Sequence, residues 1–491
     1  MELGQLLVRA KLITVEQMEE ALKRQVEKGG RFGENLVALG YMTQAALDAY
    51  IHRTPVEPDS IKATGIDEIE LLGLLMKLIY TWRLESNREF AEAIKLPSHL
   101  VAKLVQSATD RKLIYARGVR QDNSAAMNYA ITEEGTRWAL NALERSQYTG
   151  PAPVPLEDFN ERVNLQKITN EVITFQRVRQ SIADLAMENA LIEKSGPALN
   201  SGRAILLYGP PGNGKTTFAL RLANVFSDMV YIPYAVTIEG QIIRVFDPSI
   251  HVPIKSTSTN GPSILRTDLV DARWVACKRP FVIAGGELTL EMLDLRYDAS
   301  SKFYEAPLHM KALGGCFVID DFGRQLVTPT VLLNRWIVPL ESRIDFLKLH
   351  TGKSFSIPFD ELVIFSTNLE PEDLMDPAFL RRLPYKVEIG SPTLENYKKI
   401  FTKECQTHGI VLSDEVFEEI VYKIREEKQL ELAAYQPRFL LDQVVASCRF
   451  MEQPPSLERR FLHYAIDNLR VQKNEVSGVD ASGIRKTSAL V

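Results

Sequence analysis

The sequence is short of cysteine, of clustered histidine and of uninterrupted apolar runs, and each shortage removes a class of protein. Four cysteines, Cys277, Cys316, Cys405 and Cys448, are scattered through 491 residues without paired spacing. That pattern excludes a disulfide framework or a cysteine zinc site and fits a reducing compartment. The seven histidines are equally dispersed, so no metal cluster is expected. No uncharged stretch approaches the ~18 residues that span a bilayer, and the strongest run, residues 71–82, carries Lys77. Met1-Glu2-Leu3-Gly4 lacks the basic region of a signal peptide. A soluble, cytoplasmic chain without membrane insertion is expected. A net charge of −5 gives no electrostatic reason for nucleic acid to be the main partner.

What is present is length enough for about three domains. The first 56 residues hold an internal repeat: Leu3-Gly4-Gln5-Leu6-Leu7-Val8 returns as Phe32-Gly33-Glu34-Asn35-Leu36-Val37. In the same alignment Met18 matches Leu47, and Thr14-x-x-Gln17 has capping-box form. Neither copy buries its apolar face alone, so residues 1–56 are expected to form one all-α domain. Residues 57–68 read as a linker. Over residues 69–147, three helices precede two short strand candidates around the polar loop 119–125, the winged helix-turn-helix pattern. Residues 148–158, with Pro151, Pro153 and Pro155, read as a stiff linker.

From residue 159 to 391, short apolar runs recur at 204–208, 229–232, 316–319, 362–365 and 387–389, with helical stretches between them. Their continuity predicts a parallel sheet buried on both faces within a multidomain α/β protein. Residues 392–471 turn wholly helical, suggesting an α-helical lid. Residues 472–491 have the composition of a disordered tail.

Gly209-Pro210-Pro211-Gly212-Asn213-Gly214-Lys215-Thr216 satisfies G-x-x-x-x-G-K-[ST], between a predicted strand and a helix opening at Thr217. Glycines let successive backbone N–H groups curl round phosphates, and the helix N-terminus adds its partial positive charge. Lys215 is positioned for the β- and γ-phosphates of ATP and Thr216 for Mg²⁺. Cys316-Phe317-Val318-Ile319-Asp320-Asp321 ends an apolar strand in two carboxylates. Asp320 suits Mg²⁺, and Asp321 suits orientation and deprotonation of water. Asn368, after the strand 362–365, suits a hydrogen bond to that water.

Together these residues resemble the AAA+ ATPase superfamily. Gly209 to Thr217 resembles Walker A, Val318-Ile319-Asp320-Asp321 resembles Walker B, and Ser366-Thr367-Asn368 resembles sensor 1. Asp376-Pro377-Ala378-Phe379-Leu380-Arg381-Arg382 resembles the arginine-finger segment, and Pro437-Arg438-Phe439 resembles sensor 2. The resemblance implies that Arg381 or Arg382 acts in trans on a neighbour's nucleotide in a homo-oligomer, typically a hexamer. It also implies that Arg438 reports nucleotide state to the lid. The family usually has Asp-Glu in Walker B; Asp321 is one methylene shorter, which implies slow turnover. The segment between Lys215 and Asp320 is long and includes residues 256–261, Gly285-Gly286-Glu287, Phe303 and Tyr304. Pore loops lie in such segments in these rings, although a packed aromatic pair is the commoner outcome for Phe303 and Tyr304. A hairpin turning near Thr351-Gly352-Lys353 resembles the pre-sensor-1 hairpin of some clades.

The N-terminal repeat resembles the N-terminal domain of type II secretion and type IV pilus assembly ATPases of the MshE kind, whose tandem Arg-Leu-Gly-x-x-Leu copies can bind cyclic di-GMP. Arg31-Phe32-Gly33 and Gln25 fit that pattern. Glu2, Lys11 and Thr54 depart from it, which favours protein docking over cyclic di-GMP. Between Ile69 and Glu144, ten Lys or Arg face nine Asp or Glu. That is a thin supply for DNA phosphates, so a protein contact is favoured over DNA. The function expected is ATP-driven remodelling or assembly of a protein partner. A nucleotide-gated binding switch and a DNA-associated ATPase are the alternatives.

Overall fold

A computed structural model of the protein describes residues 4, 7–8, 12–29, 32–51, 54–119, 127–254, 270–374 and 377–470. Glu2, Lys11, Arg31, Asp376, residues 256–261, most of the loop 119–125 and the tail 472–491 therefore lie outside the described residues.

In the N-terminal unit, helices Val15–Lys28, Phe32–Ala38 and Gln44–Ile51 close over Leu7, Ile13, Ala21, Phe32, Leu36 and Leu47. Thr14 and Gln17 form the reciprocal cap. The repeat is visible in the packing. A Cβ on Gly4 would sit 2.9 Å from Met18 Cγ, and one on Gly33 would sit 2.8 Å from Leu47 Cδ2. Each copy thus uses its glycine to seat the matching apolar side chain of a longer helix.

Helices Glu68–Trp82, Asn87–Ile94 and Ser98–Asp110 precede an antiparallel hairpin, Ile114–Val119 with Met127–Ile131, and the helix Glu133–Arg145. Asp67 caps the first helix, and Ser86 with Glu89 boxes the second. The apolar faces of these helices share a core with Ala235, Ile242 and Phe303 of the following unit.

The two stretches expected to be linkers are packed segments. Arg273 is almost fully buried, pairs with Asp271 at 2.8 Å, and donates to the carbonyls of Thr64 (2.9 Å) and Pro153 (3.2 Å). Val154–Pro155 is an edge strand against Ala235–Ile238, a place where the missing N–H of proline costs no ladder bond. Proline-rich composition reads as a spacer, but here a buried guanidinium and a sheet edge satisfy its carbonyls.

The central sheet has five strands: β1 (Ile205–Tyr208), β2 (Phe281–Ala284), β3 (Cys316–Ile319), β4 (Leu362–Ser366) and β5 (Tyr385–Glu388). All neighbours are parallel, in the order β5-β1-β4-β3-β2. Both faces are covered, by the clusters around Trp336 and around Phe218. One predicted member is misplaced: Met229–Pro233 pairs antiparallel with Trp274–Lys278, outside this sheet. Its place is taken by β2, which the sequence reading had not identified. A mixed five-stranded sheet carries Val154–Pro155, Ala235–Ile238, Gln241–Arg244, Phe303–Glu305 and Arg296–Asp298. Tyr304 is buried there and hydrogen-bonds His350, while Phe303 packs on Tyr148; both are packed strand residues, not loop tips. The hairpin Ile344–Lys348 with Ser354–Pro358 is present, and Lys353 beside its turn pairs with Glu239.

The lid comprises helices Leu394–Thr407, Asp414–Tyr422, Gln436–Phe450 and Arg459–Asp467 around its own core. Among the described residues no helix is long and apolar enough to cross a membrane.

Candidate functional site

The C-terminal ends of β1, β3 and β4 converge where the chain turns from β1 into the helix Lys215–Ala223. Within this sheet the next strand along the chain, β2, lies at the far edge, and β5 lies on β1's other side. Such a reversal of strand order opens a crevice at the carboxyl ends. A cleft of 1520 Å³ lies there, walled by the P-loop, residues 183–191, residues 388–393 and the lid residues Ala434, Tyr435 and Arg438.

The loop between strand and helix turns through left-handed backbone at Gly209 (φ 127°), Gly212 (φ 78°) and Gly214 (φ 86°). Space as well as angle demands two of these glycines. A Cβ on Gly209 would meet Ile389 O at 2.6 Å, and one on Gly212 would meet Tyr435 Cδ1 at 2.3 Å. Lys215 is 6% exposed, and its Nζ donates to the carbonyls of Gly209 (2.9 Å) and Pro210 (2.8 Å). Burial pushes this ammonium below its ordinary range, against the opposing pull of Asp320 and Asp321. A cation held beside exposed loop amides without a paired carboxylate is a receptor for an anion. Pro211, Gly212, Asn213, Gly214, Lys215, Thr216 and Thr217 line the cleft, with Gly209 and Pro210 turned toward the lysine.

Thr216 Oγ1 donates to Asp320 Oδ2 at 2.8 Å across the gap between the helix and β3. Two hard oxygen donors beside a phosphate cradle fit Mg²⁺, which keeps few protein ligands and shares substrate phosphates. Asp321 follows at φ 48°, in the left-handed region, and its Oδ1 accepts from Asn368 Nδ2 at 3.2 Å. Asp320, Asp321 and Asn368 all line the same cleft.

Several residues here were missed by sequence reasoning. Gln325 Nε2 donates to Asp320 O (2.9 Å) and Asp321 O (3.2 Å), while its Oε1 accepts from Gly323 N, so it braces the turn after β3. The lid reaches the P-loop directly: Tyr435 N donates to Gly212 O (2.9 Å) and Ala434 N to Asn213 Oδ1 (3.1 Å). Long-range contacts of this kind leave no local motif. Arg438 lines the cleft from the lid, 3.8 Å from Asp442 Oδ2. Arg381 and Arg382 do not line it. Both follow the short helix Pro377–Leu380; Arg382 pairs with Glu341, and Arg381 is exposed.

A parallel sheet carrying this cradle at its carboxyl edge has the architecture of P-loop α/β proteins. Comparison with known proteins narrows the class. The chain is 22% identical over 284 residues to the proteasome-activating nucleotidase of Methanocaldococcus jannaschii, spanning 54% of this chain and 64% of that protein. It is 25% identical over 273 residues to the spastin homolog of Caenorhabditis elegans, spanning 52% and 42%. The chain thus covers less than two thirds of the length of these relatives. A structure of Thermotoga maritima RuvB aligns over 62% of this chain at 12% identity, with a TM-score of 0.31. Residues 393–468, the lid, match a family described only as a domain of unknown function (DUF8689). The curated relatives support the resemblance to the AAA+ ATPase superfamily. They do not extend it to the MshE-like repeat or the winged-helix pattern, and they support neither cyclic di-GMP nor DNA as a ligand.

Proposed function

We propose that the chain is an AAA+ ATPase that couples ATP binding and hydrolysis to remodelling or assembly of a protein partner, working as a homo-oligomer of hexameric type. The observation that carries this reading is the Thr216–Asp320 hydrogen bond beside a buried, carbonyl-bound Lys215. The relatives' names, a nucleotidase that activates the proteasome and a spastin homolog, agree with it. In this reading the loop amides and Lys215 grip the triphosphate. Thr216 and Asp320 hold Mg²⁺, whose charge offsets that developing on the phosphates. Asp321 takes the proton of the attacking water, and Asn368 holds Asp321 in place. Arg438 reads the bound nucleotide from the lid, and Arg381 or Arg382 completes a neighbour's site. The N-terminal units recruit or regulate.

A second reading, a nucleotide-gated switch with slow turnover, has one observation in its favour. Asp321 combines the shorter acidic side chain with a left-handed backbone and a hydrogen bond to Asn368, so its reach toward water is restricted. Phosphate release by the purified chain separates the two. Turnover that Lys215→Ala abolishes supports the ATPase; tight ATP binding without turnover supports the switch; neither binding nor turnover overturns both.

A further inference from the structure

A second cavity, 340 Å³, lies between the helix Glu68–Trp82, the helix Glu133–Arg145 and the mixed sheet, which contributes Thr237, Ile242 and, from the turn between their strands, Gly240. It is far smaller than the nucleotide cleft and shares no residue with it. Its size is at the lower end of the ~300–1,000 Å³ typical of ligand sites, and boundaries between units are where such sites concentrate. Its walls are mainly apolar, from Leu71, Leu74 and Ile242, with Trp138 offering a ring.

Lys77 is the unusual member. It is 5% exposed and sits mid-helix among leucines, where a methionine or leucine would pack without desolvating a charge. Its Nζ donates to Ser146 O at 3.0 Å, the one acceptor it has among the described residues, leaving two of its three donors unused. Among the described residues no carboxylate pairs with it, and burial lowers its proton affinity. Two other charged residues line the same cavity, Arg145 from the exposed end of its helix and Glu70 from the first turn of Glu68–Trp82, and neither forms an ion pair with Lys77 among the described residues. A buried ammonium lacking a counter-charge, beside an aromatic ring, calls for a negative ligand with a flat apolar body.

We propose that this cavity binds a small aromatic carboxylate, with the carboxylate on Lys77 and the ring against Trp138. One buried ammonium, one exposed guanidinium offset by Glu70, and a mostly apolar wall suit one negative group better than a phosphate. The volume excludes a folded partner. Because the walls belong to both the helical unit and the mixed sheet, an occupant would bear on how the two are joined.

The probe is 1-naphthoate, with uncharged 1-naphthamide as its isostere, titrated into the full chain by calorimetry in the presence of saturating ATP. Naphthoate is expected to bind below millimolar concentration and the amide at least tenfold more weakly. Lys77→Met should weaken naphthoate at least tenfold while leaving the melting transition cooperative. Gly73→Leu should also block it by filling the cavity, since a Cβ there meets only Ala142 Cβ at 3.7 Å. Absence of naphthoate binding overturns the proposal. So does equal affinity for acid and amide, or unchanged affinity in folded Lys77→Met or Gly73→Leu protein.

Discussion

Thr216 and Asp320, more than a hundred positions apart in the chain, meet through a 2.8 Å hydrogen bond at the mouth of the phosphate cradle. Removing either oxygen should separate binding from chemistry. Thr216→Ala and Asp320→Asn are each expected to cut ATP turnover at least 100-fold, about 3 kcal/mol in the barrier, with ATP binding retained in the absence of Mg²⁺. Lys215→Ala should weaken binding itself. Radiolabelled nucleotide binding with and without Mg²⁺, set against phosphate release, checks the division. Full turnover in Asp320→Asn would remove the metal from the reading.

Asp321→Asn is a clean probe of the proposed base. Asparagine tolerates the left-handed backbone at φ 48° at least as well as aspartate, so loss of activity reports the carboxylate and not strain. Turnover should fall 100-fold or more while the melting temperature stays within about 2 °C, a change of less than about 1 kcal/mol. Asp321→Glu should raise turnover if reach is what limits it. Wild-type rates in Asp321→Asn would sink the base assignment.

Arg382 is held by Glu341 within the same chain, whereas Arg381 is exposed beside it. The greater exposure of Arg381 makes it the first of the two to test for a contact with a neighbour. Arg381→Ala subunits should be inactive alone and regain partial turnover when mixed with Lys215→Ala subunits, because each intact cradle can then meet an intact arginine. Arg382→Ala should instead cost less than about 1 kcal/mol of stability with turnover retained. Steady-state hydrolysis across mixing ratios checks both, and the opposite pattern would reassign the role to Arg382.

How much of this was legible beforehand depended on sequence distance. Ile205 to Ala223 is a strand, loop and helix in one continuous stretch, so spacing alone marked the cradle. Asp320 was legible because four apolar residues before it could only be a buried strand. Strand order was not. Met229–Pro233 is as buried as a sheet strand, but periodicity says nothing of which partner it takes, and Trp274–Lys278 claimed it. Strand β2 hides behind Pro280 and alternates exposed with buried residues. Phe303 and Tyr304 were expected more often to pack than to face a pore, and they do pack, but the strand that carries them had no distinguishing punctuation. The Tyr435–Gly212 clasp joins residues that only the folded lid brings together.

That clasp predicts a paired effect. Gly212→Ala would place a methyl 2.3 Å from the Tyr435 ring and strain a φ of 78°, the backbone part alone costing about 1 kcal/mol. Gly212→Ala is expected to weaken ATP binding at least tenfold. Adding Tyr435→Ala should recover part of that loss, leaving only the backbone share. Equilibrium nucleotide titration of the two single variants and the double measures the coupling. Strict additivity would mean that the lid does not press on the loop.

The end of β4 remote from the cradle carries a different liability. Glu361 is fully buried, and among the described residues neither carboxylate oxygen has a hydrogen-bond partner. Burial, with Asp360 and Asp345 nearby, raises its proton affinity well above that of an ordinary glutamate, and Arg343 opposes the shift only in part. In the unfolded chain the group ionises near its ordinary value of 4.5, so above that pH the folded state must keep a proton that the unfolded state has lost. Its contribution is fully present below that value and declines as pH rises toward the folded pKa, by about 1.4 kcal/mol for each pH unit crossed. Glu361→Gln keeps the shape and removes the titration. The variant should gain little melting temperature at pH 5 and progressively more toward pH 8, measured by calorimetry at matched ionic strength. A gain that is constant across this range would show that Glu361 does not hold its proton in the folded protein.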